Sequence, residues 1–307
     1  MPLALSTSWN AYRHDNAKDL LFEIKQLGFN DIELSFNLTR LLVDEISKVA
    51  RDIGLNILSL HNYCPIPEGL SRKEALPDCF SLSALDSEER KRAVSYTKRT
   101  IDYASSLGAK AVVLHCGRVE IEDKTRELIA FYDSKCLSSE KAIRVRDEFL
   151  KKREDLSGSF LEKVLISLDE LNAYAGSKGV LLGVENRFYY REIPNFEEIG
   201  VILNKFKGSS LAYWHDTGHA RVMESLGFIK NGSFLKAYAP DLIGAHLHNT
   251  LGCLDHQAPS KGDLDFKEMN PFFRKDTIKV IEAHQPATAE ELKESLRLLQ
   301  GIFNGIL

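Results

Sequence analysis

Short apolar runs rich in β-branched residues recur along the chain, and after each a longer stretch brings apolar positions back every three or four residues. The short runs are LALSTS (3–8), DIELSF (31–36), NILSLHN (56–62), AVVLHCG (111–117), LLGVENR (181–187), LAYWHD (211–216), LIGAHLHN (242–249) and IKVIEAH (278–284). Alternation of strand and amphipathic helix predicts a parallel sheet. At eight repeats, closure into an α/β (β/α)8 TIM barrel is favoured over an open doubly wound sheet. SEERKRAVSYTKRTIDYASSLGAK predicts a helix with Ser87 as N-cap, acids in its first turn and a glycine stop at Gly108; Gly28, Gly54 and Gly179 serve as similar stops. No G-x-G-x-x-G follows the first strand and no P-loop signature occurs, which removes the main sequence support for a nucleotide fold.

Two segments exceed what barrel connections need. Residues 63–86, rich in proline and short polar residues, read either as a lid over the strand ends or as a mobile surface loop. Residues 118–159 interleave acids and bases and predict one or two exposed helices inserted between strands four and five, a solvated excursion or a subunit contact. No interdomain linker is visible, so residues 1–307 are expected to form one domain with that insertion inside it.

Composition narrows the class without naming a chemistry. With 44% hydrophobic and 27% charged residues the chain reads as a globular protein with a sizeable core. A net charge of −4 and a pI near 6.2 give no basic footprint for nucleic acid. Five cysteines without a CxxC pair suggest neither a disulfide framework nor a thiolate zinc site, and fit a reducing cytoplasm. The first residues lack a signal-peptide pattern and no apolar run is long enough for a membrane span, so no membrane partner is expected.

The chemistry is concentrated at the predicted strand ends. In a parallel barrel these converge on one face, and here they deliver Glu33, His61, His115, Glu185, Asp216 with His219, His246 and Glu282. Carboxylates gathered there would repel and suffer desolvation, and a divalent cation relieves both. Nitrogen and oxygen donors without thiolate suit zinc or manganese first, with cobalt, iron, nickel or magnesium as alternatives. Glu33 is expected either at the pocket rim or paired with an arginine. Trp9 and Tyr12, after strand one, are expected to serve core or surface packing, with an apolar wall of the pocket as the alternative.

The ordered motifs SLHNYCP, VVLHCG, VENR, HDTGHA, AHLHN, DHQAPSKGDLDF and IEAH resemble the xylose isomerase-like TIM-barrel superfamily, which includes ketose 3-epimerases and the endonuclease IV type of apurinic-site nuclease. The resemblance covers the chain except 118–159. It implies a metal site of Glu185, Asp216, His246 and Glu282, with His248 on a non-ligand position. It also implies an isomerase or epimerase of a sugar, sugar phosphate or polyol, in which Glu185 and Glu282 exchange a proton with a metal-stabilised enediolate; a hydride shift would use the same ligands. Arg187 and His219 are then candidate contacts to the small-molecule, sugar-like substrate.

The nuclease pattern would add His61 and His115 as ligands of a second metal, and His219 with His256 for a third. The acid expected before His256 falls on Leu254, and Asp255 could replace it only if the loop shifts. The arginine expected in the epimerases six residues after His246 is Gly252 here. The alternatives are therefore a zinc phosphodiesterase acting on abasic DNA and a noncatalytic metal- or sugar-binding barrel. A homo-oligomer is compatible with all three.

Overall fold

The computed structural model describes residues 2–305. Its strands are β1 (Ala4–Ser6), β2 (Asp31–Leu34), β3 (Asn56–His61), β4 (Ala111–Leu114), β5 (Leu181–Glu185), β6 (Leu211–Asp216), β7 (Leu242–Leu247), the hairpin strands β8 (Asn249–Leu251) and β9 (Leu254–Gln257), and β10 (Ile278–Ile281). The order β1-β10-β7-β6-β5-β4-β3-β2 closes a parallel barrel, with β8 and β9 forming a separate antiparallel pair. Around it run α1 (Ala17–Gln26), α2 (Arg40–Ile53), α3 (Ser87–Leu107), α4 (Thr125–Asp133), α5 (Glu140–Lys178), α6 (Phe196–Lys205), α7 (Thr217–Ser225), α8 (Ser233–Tyr238), α9 (Phe266–Met269) and α10 (Ala289–Phe303). The fold is thus the (β/α)8 barrel expected from the alternation. Among the described residues no helix is long and apolar enough to cross a membrane.

Two apolar layers hold the barrel. Leucine, isoleucine and valine of the outward strand faces pack against the helices, and a smaller cluster of Ala4, Ala111, Val113, Trp214, Ile278 and Val280 fills the interior. Trp214 fits there because neighbouring strands carry glycine: a β-carbon at Gly244 would stand 2.1 Å from its ring, and one at Gly183 2.9 Å away. The indole is 5.2 Å from the His246 ring, so this plug forms the floor of the face where the strands end.

Several expectations need correction. The N-cap of α3 is Asp86, whose carboxylate accepts from the amides of Glu88 and Glu89, while Ser87 is the first helical residue. A carboxylate binds two orphan amides and complements the helix dipole, which a hydroxyl does less well. The region 118–159 does not end as a separate unit, because α5 continues unbroken to Lys178 and caps at Gly179 with φ 68°. Its two interior glycines, Gly158 and Gly176, do not break the helix.

Neither is the insertion merely solvated. Arg153 is buried, pairs with Glu198 at 2.7 and 3.0 Å, and donates to the carbonyls of Tyr190 and Glu192. It thereby ties α5 to the segment that follows β5. Residues 63–86 also fold onto the barrel: the Cys64 amide donates to Thr100 Oγ1 of α3, and Ser83 Oγ bridges the amide and carbonyl of Arg118.

Candidate metal centre and active site

Parallel register brings the strand-end residues onto one rim; it sets Asp216 directly beside His246, for example. His61, Glu185 and Asp216 are the last residues of their strands, His246 is the last but one, and His115 and Glu282 stand one position beyond β4 and β10. Ligand-competent atoms of Glu185, Asp216, His246 and Glu282 all lie within 4.8 Å of one another, and so do those of His61, His115 and Glu185. Glu185 joins the two groups. Its Oε1 is 2.5 Å from His246 Nδ1 and its Oε2 is 2.8 Å from His115 Nε2. Glu282 Oε2 is 3.1 Å from the same His246 Nδ1.

The imidazoles are held so that one nitrogen is committed to the protein and the other faces inward. His61 Nδ1 is 3.0 Å from Asn62 O, and His219 Nδ1 is 3.1 Å from Asn186 O, which makes each Nδ1 a donor and leaves Nε2 free. His115 Nδ1 is 3.2 Å from the Asp78 carboxylate. His246 Nε2 lies 3.1 and 3.2 Å from the two oxygens of Glu33, itself held by Ser59 at 2.7 Å. Such outer partners fix ring orientation and tautomer in metal sites. Glu33 therefore supports His246 from below and meets neither the rim nor an arginine.

His248 behaves differently. Its Nδ1 accepts from the amide of His256 at 2.8 Å, so Nε2 donates to both oxygens of Asp216 at 2.9 Å. Both nitrogens are thus occupied, and although the ring sits in a ligand-like group with Asp216, His219 and His256, its role is to position Asp216. Asp216 also caps α7 by accepting from the His219 amide at 2.7 Å.

Burial dominates the electrostatics. Glu33, Glu185, Asp216 and Glu282 are each at most 4% exposed. Burial opposes charge on all four, but neighbouring imidazoles keep Glu33, Glu185 and Asp216 below the usual carboxylate range. Glu282 goes the other way: burial, opposed by His246 and His256 and reinforced by Glu33 and Glu185, pushes it up to about 7. Burial, with His115 adding to it, holds His61 neutral with a pKa of about 3, and burial likewise lowers His219 to about 4 despite Asp216. Against burial, the acidic neighbours raise His246 and His115 instead, so these rings share protons with the carboxylates that a divalent cation would replace; buried carboxylates interleaved with imidazoles form a donor set that fits such a cation.

Above this floor opens a cavity of about 290 Å³, lined by Phe36, His61, Pro77, His115, Arg126, Glu185, Arg187, Phe188, Tyr189, His219, Asp255, His256, Glu282 and His284. Its apolar walls are Phe36, Phe188 and Tyr189. Trp9 and Tyr12 do not line it: Trp9 is buried with Nε1 donating to Ala287 O, and Tyr12 is exposed. Arg187 reaches the cavity but is already engaged, donating to Glu185 Oε2 at 2.7 Å and pairing with Glu192 at 3.4 Å.

The β8–β9 hairpin brings in residues the sequence left doubtful. Leu254 points to solvent, whereas Asp255 Oδ2 is 2.8 Å from His256 Nδ1 and 3.9 Å from His219 Nε2. Strand geometry would send Asp255 and His256 to opposite sides, but His256 adopts φ 55° and both face the site. Its ring stacks between those of His248 and His284 at 4.2 and 3.9 Å. Asp78, Arg126 and His284 escaped the sequence reading. The first two sit in the long segments outside the strand repeat, and His284 lies just past the Glu282 strand end.

A family model described as xylose isomerase-like TIM barrel matches residues 21–302. No curated protein matches the sequence. Among solved structures, a 3-keto-D-glucoside 4-epimerase from E. coli in apo form is similar with a TM-score of 0.66 and 15% identity, over 98% of this chain and 99% of that one. An L-ribulose 3-epimerase gives a TM-score of 0.69 at 14% identity, covering 99% and 95%. A putative xylose isomerase from Rhodospirillum rubrum gives 0.68 at 17%, covering 100% and 99%. At these identities the structural likeness concerns the fold, and it agrees with the family match. The chain belongs to the xylose isomerase-like TIM-barrel family.

Proposed function

We propose that the chain is a divalent-metal-dependent isomerase or epimerase of a sugar, sugar phosphate or polyol-like substrate. The observation that carries this reading is the pair of buried carboxylates Glu185 and Glu282, both within 3.1 Å of His246 Nδ1 at the floor of a cavity. A cavity of about 290 Å³ suits a monosaccharide better than a polymer. The solved neighbours include enzymes that epimerise keto sugars, which supports the same substrate class.

A divalent cation held by Glu185, Asp216, His246 and Glu282, zinc or manganese by donor type, would supply Lewis-acid polarisation of adjacent carbonyl and hydroxyl oxygens. Glu282, poised at about 7 in the free protein, is suited to take a proton from the carbon beside that carbonyl and to return it. Glu185 is the partner carboxylate, its charge steadied by Arg187. His219 offers Nε2 to a substrate hydroxyl, and Phe36, Phe188 and Tyr189 supply apolar walls.

The convergence of His61 and His115 on Glu185, and of His219, His256 and Asp255, favours a second reading, a multinuclear phosphodiesterase acting on abasic DNA. Incubation of metal-loaded protein with ketohexoses in deuterated water separates the two. The expected result is deuterium at the carbon next to the carbonyl, with a loss of at least about 100-fold in Glu282→Gln. Absence of exchange with every ketose, together with salt-sensitive cleavage of abasic DNA, would replace the first reading by the second. Absence of both, with sugar or metal still bound, would leave a binding barrel.

A further inference from the structure

The histidines of the rim differ in where their outward nitrogen is anchored. His61 and His219 use a backbone carbonyl of the barrel's own loops, and His246 uses Glu33 on a neighbouring strand. His115 alone among these four depends on the long 63–86 segment, through Asp78 at 3.2 Å. Asp78 is itself mostly shielded, its side chain 17% exposed, and its neighbour Pro77 lines the cavity.

The segment is clamped on both sides of this contact. On one side Arg72 donates to the carbonyls of Asn37 and His14. On the other, Ser83 holds Arg118, and within the segment Tyr63 braces Phe80 O. Gly117, two residues beyond His115, adopts φ 102°, and a β-carbon there would stand 2.1 Å from Ser81 Oγ. The close approach that seats the segment on the rim thus requires glycine at that position.

We infer that Asp78 is a positioning residue that fixes His115 with Nε2 toward Glu185, so that seating of the 63–86 segment and metal retention on the His61–His115 side are coupled. This rests on the reading of His115 as a metal ligand. With Nδ1–H given to Asp78, the proton that joins Nε2 to Glu185 Oε2 at 2.8 Å is the one a cation would replace, which would leave the Nε2 lone pair aimed at the metal. Removing the carboxylate frees the ring to rotate or change tautomer, and loss of such an outer partner weakens metal binding by about 10–100-fold.

The test is stepwise zinc titration of the chelator-treated full chain against a competing chromophoric chelator, for the wild type, Asp78→Ala, Asp78→Asn and His115→Ala. Hydrogen exchange over 63–86 is followed with and without zinc. The expected result is that one binding step weakens about 10–100-fold in Asp78→Ala and less in Asp78→Asn, whose amide oxygen still accepts the bond, while the other step is unchanged. Zinc should slow exchange in 63–86 in the wild type and fail to do so in Asp78→Ala. If Asp78→Ala does not fold, the near-isosteric Asp78→Asn carries the affinity and exchange comparisons.

Zinc steps within twofold of wild type in both Asp78 variants, while His115→Ala loses one, would overturn the positioning role and leave His115 a ligand. Equal zinc protection of 63–86 in the wild type and the variants would overturn the coupling. Unchanged binding in His115→Ala would remove the reading on which both rest.

Discussion

Gly218 shows how a residue without a side chain shapes the site. A β-carbon at this position would stand 2.1 Å from the His248 ring, the ring that donates to both oxygens of Asp216. Gly218→Ala should therefore displace His248 and weaken the metal bound through Asp216 by about 10–100-fold while leaving the far-UV circular dichroism intact. Chelator competition checks this, and wild-type affinity would show that His248 is not needed. At this scale, legibility followed the strand period: Glu185, Asp216, His246 and Glu282 could be read as convergent because strand ends share a face. Asp78 could not, since it stands 37 positions before His115 in the chain and nothing local links them. Asp255 was hidden by a backbone choice, the positive φ of His256, that residue type alone does not announce.

Among the elements, α5 does most to tie the insertion to the barrel. Its buried Arg153 faces Glu198 and two carbonyls of the segment following β5, the segment that also supplies Arg187, Phe188 and Tyr189 to the cavity. Truncating one partner of such a pair strands the other's charge in the interior. Arg153→Ala should cost about 3–5 kcal/mol in chemical denaturation, and a change below about 1 kcal/mol would mean that water reaches Glu198. The alternating charges of 118–159 correctly suggested helix, yet the same pattern concealed its one buried arginine. The β8–β9 hairpin was legible only as a motif, because its short strands pair with each other and carry no barrel-type apolar run.

For the whole molecule, the eightfold alternation was enough to read the closed barrel, since parallel strands buried on both faces need continuous apolar runs and intervening helices. What composition could not reveal is the electrostatic load under which that barrel folds. Glu282 has its pKa raised to about 7, so the native state holds a proton that the unfolded chain has released. Its stabilising contribution is present below the ordinary carboxylate pKa and is lost as pH rises through about 7. In the presence of chelator, Glu282→Gln should therefore be more stable than wild type at pH 8, on the order of 1–3 kcal/mol, and converge with it towards pH 5. Zinc should reverse the order at pH 8. Thermal melts at the two pH values check this, and equal stability at pH 8 without metal would mean that Glu282 is ionised and solvated.

The tryptophan packed between Gly183 and Gly244 makes the barrel a vessel with one mouth. On the proposed chemistry, a proton lifted from a substrate at the floor has no second exit, and a seated sugar obstructs the first. The isotope on the carbon should then retain a memory of its origin: with a deuterated ketose, part of the label returns to product before solvent can dilute it. A Trp214→Ala barrel that still folds and admits water from below should lose that memory.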